Sequence, residues 1–154
     1  MKKRELYNCL QALDSVKELK GIKFAYVSLK NKKKIEEEIN LFEEVVKANP
    51  KFEEYEQKRI KLCELHSEKD SENKPIISND KYKILDENKF NSELDVLKKE
   101  YQDVINERIK QINDYNSMLE EEINLEFEKI NFEHIPENIS SKELESIDFM
   151  INFE

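Results

Sequence analysis

From Phe90 onward, apolar side chains recur at steps of three and four: Leu94, Leu97, Tyr101, Val104 or Ile105, Ile109, Ile112, Tyr115, Leu119 and Ile123. A stripe of that period fits one face of a long α-helix and no β-strand. At about 1.5 Å per residue, the stripe from Phe90 to Ile123, on a helix with Asp86 as its N-cap, is a rod of roughly 50 Å. Its other faces are polar, so the stripe needs earlier helices, or another copy of the chain, to cover it. Composition allows such length. One glycine and three prolines in 154 residues, with 40% charged side chains, favour long helices over sheet. The 38% hydrophobic share predicts a thin core.

The remaining elements are read from spacing and from breakers. Leu6, Leu10, Leu13 and Val16 predict a helix over residues 3–20, ending at Gly21 placed as a C-cap. Ile22, Ala25, Leu29, Ile35, Ile39, Phe42 and Val46 trace a second stripe up to Asn49-Pro50, interrupted by KNKKK at 30–34, where the helix is either exposed all round or bent. Pro50 suits the start of a third helix running to about Asp70. KDSENKPIISNDKYKIL, residues 69–85, supplies turn chemistry around Asn73 and Pro75. A second turn at Ser78-Asn-Asp-Lys81 makes a small β-hairpin plausible within 70–86. After the long helix, Ile123, Leu125, Phe127, Ile130, Phe132 and His134 alternate with polar residues, as in an extended arm. Pro136 ends the arm, and Ser140-Ser-Lys-Glu143 matches a capping box opening a short last helix.

Charge is segregated. Residues 1–34 carry ten Lys or Arg against three acids, whereas residues 119–154 carry two Lys against eleven acids, in a chain of net charge −9. Such ends can pair within the chain, between copies, or with a partner. No apolar run is long enough for a membrane span, and the first residues lack a signal peptide's apolar stretch, so a cytoplasmic protein without a membrane partner is expected. Cys9 and Cys63 are too few for a disulfide framework and are expected to be reduced.

Catalytic and ligand motifs fare poorly. Cys63 and His66 stand at i,i+3 and could form half a zinc site, but the other half would need Cys9 and His134 from opposite ends of the chain. A Cys–His nucleophile pair lacks an orienting third residue. Glu36-Glu37-Glu38 and Glu120-Glu121-Glu122 lack the Glu-x-x-His spacing of helical di-metal sites, and three successive glutamates point around a helix. Pro75 stands where a calcium loop needs glycine, and one glycine cannot build a phosphate loop. KNKKK beside Phe24 and Tyr26 is the only hint of nucleic-acid binding, and the acidic balance outweighs it. No metal and no cofactor is expected.

Three stretches carry a family resemblance: EYEQKRIKLCELHSEKDSENKPI, NDKYKILDENKFNSELDVLKKEY and INLEFEKINFEHIPENISSKELESI. Over residues 53–149 the chain resembles a group of small proteins encoded by phages and prophages of Gram-positive bacteria. The shared features are an amphipathic helix, a turn before Lys-Pro, a tyrosine strand, a helix opening with Phe, and an acidic arm closing in a turn, here Ile135-Pro136-Glu137. The turn at Asp70–Asn73 departs from that pattern in lacking a glycine. The resemblance implies a viral setting and a bacterial cytoplasm, and no mechanism.

The expected fold is all-α: an elongated helical hairpin or small antiparallel bundle over residues 1–122, with a β-hairpin at one tip, followed by an acidic arm and short helix at 123–154. The expected function is non-enzymatic protein binding, as an assembly or adaptor component whose partner is itself or a host or phage protein. The alternative is an acidic inhibitor that fills a basic groove on a host protein by mimicking nucleic acid. Glu120, Glu121, Glu122, Glu126, Glu128, Phe127 and Phe132 are the candidate partner-binding residues, with direct nucleic-acid binding not expected.

Overall fold

The computed structural model describes residues 1–152. The chain is mostly helical: α1 (Glu5–Ser15), α2 (Ile22–Val46), α3 (Pro50–His66), α4 (Glu87–Glu100), α5 (Gln102–Leu119) and α6 (Ser141–Ser146). Two small two-stranded sheets join β1 (Ile77–Ser78) antiparallel to β2 (Lys81–Tyr82), and β3 (Ile130–Asn131) parallel to β4 (Ile151–Asn152). Contacts divide the chain into two compact units, one of Met1–Val46 with Asp114–Glu154 and one of Lys47–Asn113. That division differs from the one expected at residue 122. The C-terminal segment belongs with the N-terminal helices.

In the first unit, α1 buries Leu6, Cys9, Ala12 and Leu13. It stops at Ser15, short of the predicted residue 20. Gly21 is therefore not its cap. With φ +152, Gly21 instead precedes α2, and its carbonyl accepts the Ala25 N–H at 2.8 Å, the first bond of that helix. A β-carbon there would meet Phe24 Cβ at 3.4 Å, in a conformation that side-chain-bearing residues rarely adopt. α2 runs unbroken through KNKKK, burying Phe24, Asn31, Ile35, Ile39 and Phe42. Ile35, Ile39 and Phe42 lie inward as predicted, but the first half of the helix presents a different face to the core. Ile22 and Leu29 point outward, and Asn31 holds the core-facing position between Phe24 and Ile35.

The predicted arm is neither free nor separate. Residues 123–129 form neither helix nor strand, and Ile130, Ile147, Met150 and Ile151 join the side chains of α1 and α2 in one core. Four such side chains, at about 1.5–3 kcal/mol each, make the segment integral to the unit. The capping box at Ser140 forms: its hydroxyl accepts the Glu143 N–H, and Glu143 accepts the Ser140 N–H at 2.8 Å.

In the second unit, Asn49 caps α3 by accepting the Phe52 N–H at 2.9 Å, with Pro50 in the first turn, where its missing N–H costs nothing. The helix ends at His66, not near Asp70, because the next residues join a backbone ladder. Glu68 N–H donates to Lys83 O, Ile76 N–H to Glu68 O, and Leu85 N–H to His66 O. Asp70 Oδ1 accepts the N–H groups of Glu72 and Lys74, and Asn79 and Asp80, both at positive φ, form the two-residue turn between β1 and β2. Asp86 then caps α4 by accepting the Lys89 N–H at 3.0 Å.

The single rod predicted over 86–123 is not continuous. Tyr101, at φ −107 and ψ 16, separates α4 from α5, although its N–H still reaches Leu97 O at 3.2 Å. The interruption coincides with the only buried side chain along that stretch. The Tyr101 hydroxyl donates to Glu54 at 2.6 Å and accepts from Lys58 at 2.5 Å, and its ring lies 5.7 Å from Tyr55. Beyond it the inward face changes, leaving Ile109 and Ile112 outward. α5 also ends four residues early, at Leu119, because the N-terminal strand-like residues take over its last carbonyls: Arg4 N–H donates to Leu119 O and Lys3 N–H to Glu121 O.

Candidate functional site

Two clasps hold the acidic segment against the basic N-terminal region. The first joins Met1–Arg4 to residues 119–123. Ile123 N–H donates to Met1 O at 2.8 Å, and Lys2 bridges to Glu122 through the backbone. Around that backbone pairing, Lys2 and Arg4 each reach Glu120 at 2.6 Å and Lys3 reaches Glu121 at 2.7 Å. The Lys2 hydrogen bond, with Arg4 beside it, holds the Glu120 carboxyl below the usual carboxylate range.

The second clasp is built by the KNKKK run itself. Asn31, fully buried, donates Nδ2–H to Glu128 O at 2.9 Å and accepts the Glu128 N–H at 2.8 Å, so one side-chain amide reads the backbone as a neighbouring strand would. Lys30 and Lys34, one turn apart on α2, reach the Glu128 carboxylate at 2.9 and 3.3 Å. Lys34 also donates to Glu126 O at 2.9 Å. Hydrogen bonds from Lys30 first, then Lys34, depress the Glu128 carboxyl.

The seven residues singled out as partner-binding therefore separate. Glu120, Glu121 and Glu128 are held in ion pairs within the chain, and Phe127 packs on Phe149 with ring centroids 4.7 Å apart. Glu122, Glu126 and Phe132 remain exposed. The alternating period of 123–132 marks an extended segment, but it does not reveal that one face enters the core. Asn31 escaped notice because a polar residue within a lysine run looks solvated. Its one signal is its place at i+7 from Phe24 and i−4 from Ile35.

Cys63 and His66 are both buried on α3, and His66 Nε2 lies 2.9 Å from Glu93 and its ring edge-on to Phe90. Cys9 is buried on the inner face of α1, and that burial, with nearby Glu5 and Asp148, pushes its thiol up to about 11. A hollow of about 560 Å³ lies between α1 and α6 and is lined by Asn8, Gln11, Ser15, Ser140, Glu143 and Ser146. Its hydroxyls are already bonded: Ser15 donates to Ala12 O, Ser146 to Glu143 O, and Ser140 to the Glu143 carboxylate.

Two apolar surfaces are left uncovered. In the second unit, α3 and α4 pack antiparallel, yet only Tyr55, Cys63 and Tyr101 are buried apolar side chains there, while Leu65, Val96 and Ile109 are more than half exposed. In the first unit, Ile22, Tyr26 and Leu29 stand outward on α2. Among the described residues, no helix is long and apolar enough to cross a membrane. No family model, no curated protein and no solved structure matches the chain.

Proposed function

We propose that this is a non-enzymatic, protein-binding protein of phage or prophage origin, an assembly or adaptor component that acts through helical packing of residues 47–113. The supporting observation is the poverty of that unit's own core. Two antiparallel helical stretches, forming an elongated hairpin tipped by β1 and β2, bury three apolar side chains, against thirteen among the described residues of the other unit. A helical hairpin with its stripes this open gains stability when another helix covers them. Lys47–Asn113 also carries 14 Lys or Arg against 15 Asp or Glu, so little net charge opposes close packing.

The alternative, an acidic inhibitor of a basic groove, draws less support. Three of the five carboxylates it would offer already meet lysines or arginine inside the chain. The test is Ile109→Asp combined with Ile112→Asp. Both side chains are exposed, so the fold should survive. Recovery of partners from the native host, or self-association in sedimentation, should be lost. A wild-type chain that stays strictly monomeric at high concentration and recovers no partner would sink the proposal.

A further inference from the structure

The exposed ridge on α2 has a chemistry of its own. At about 100° per residue, Ile22, Tyr26 and Leu29 fall within roughly 60° of one another around the helix, with Lys33 inside the same arc. Their exposures are 92%, 65% and 54%. Lys23 and Lys30 flank the ridge on one side and Lys32 on the other. On the first side lies a hollow of about 200 Å³ lined by Lys23, Tyr26, Lys129 and His134; on the second lies an apolar cleft of about 230 Å³ lined by Leu13, Val16, Leu19, Phe24 and Leu29.

From these features we infer that the ridge is a docking surface for an acidic amphipathic helix of a partner protein. The occupant's apolar stripe would lie along Ile22, Tyr26 and Leu29, one apolar side chain entering the cleft and its carboxylates facing Lys17, Lys20 and Lys33. Charge complementarity selects this occupant. Residues 17–34 carry seven lysines and one acid, Glu18, on a unit that otherwise is strongly acidic, with 12 Lys or Arg against 20 Asp or Glu overall. Lys17, Lys20 and Lys33 are not engaged in the ion pairs that tie Lys30 and Lys34 to Glu128 and Lys32 to Asp14. Two of the three ridge residues are aliphatic, offering no plane on which a base could stack.

The probe is a pair of synthetic helical peptides with the same leucine stripe at i, i+4 and i+7, flanked by glutamates in one and by lysines in the other. Titrated with the full chain, the glutamate peptide should bind at least about tenfold more tightly, a difference of about 1.4 kcal/mol. Ile22→Ser with Leu29→Ser should weaken it at least about tenfold, and so should Lys17→Glu with Lys33→Glu, while added salt should weaken it further. Ile109→Asp with Ile112→Asp should leave it unchanged, which keeps this inference separate from that for residues 47–113. The inference is overturned by equal binding of the two peptides, by no binding, or by binding that ignores the ridge substitutions. It is also overturned if phosphatidylglycerol vesicles, a single-stranded DNA oligonucleotide or a second copy of the chain engages the ridge and the glutamate peptide does not.

Discussion

Asn31→Ala isolates the clasp formed by KNKKK. The substitution removes two hydrogen bonds, of 2.9 and 2.8 Å, and strands the Glu128 N–H and C=O in a part-buried position. Each bond contributes about 1 kcal/mol net, and stranding a buried polar group costs about 1–3 kcal/mol. A loss of about 2–4 kcal/mol is therefore expected, a large fraction of the 5–15 kcal/mol typical of a domain. Urea unfolding monitored by circular dichroism measures it, with the midpoint falling at unchanged slope. The comparison is Lys30→Ala with Lys34→Ala. Those lysines meet Glu128 at a solvent-exposed carboxylate, where ion pairs contribute little, so the double variant should lose clearly less than Asn31→Ala alone. If the lysine variant loses as much or more, the clasp is electrostatic and the assignment of its strength to the buried amide is wrong.

Three further outcomes follow from the same geometry. Truncation after Glu122 removes Ile130, Ile147, Met150 and Ile151, about 6–12 kcal/mol of burial, so the shortened chain should lose cooperative unfolding of the first unit; a folded truncation product would refute the integral role of the segment. Glu128 and Glu120 have depressed carboxyl pKa values, so their contribution is present above the ordinary carboxylate pKa of about 4.3 and lost as pH falls through the lower folded-state values. The wild-type urea midpoint should accordingly drop on acidification below that range, and the drop should be smaller in Glu128→Gln. In Cys63→Ser, the remaining Cys9 thiol, buried and raised to about 11, should react with a disulfide reagent near neutral pH only on opening of the fold; labelling as fast as a free thiol would contradict its placement.

Local chemistry was legible where the backbone itself writes the signal. Asn49-Pro50, Asp86 and Ser140–Glu143 start helices because their side chains or ring geometry satisfy first-turn amides, and Asn79-Asp80 forms the tight turn because both residues tolerate positive φ. Helix ends without such signals were misplaced. α3 and α5 stop where distant backbone, not the next residue, takes their terminal groups or redirects the chain. Gly21 shows the ambiguity well: one glycine between two helices serves either as the end of one or the start of the next, and only the Ala25 bond decides.

By itself, the sequence determined that this chain is mostly helical, where several of its helices begin, and that opposite charge gathers at its two ends. These are properties of residue spacing, turn chemistry and counting. Tertiary structure decided which face of each helix turns inward and where the charges go. The period of α2 is equally consistent with a core face through Leu29 or through Asn31. Only the Glu128 backbone, nearly a hundred positions along the chain at |i−j| 97, makes the buried amide the better choice by giving both its polar atoms a partner. For the same reason, most of the acidic cluster at 120–128 that looked offered to a partner is spent holding the chain to itself, and in that unit the lysine-framed ridge on α2 is turned outward.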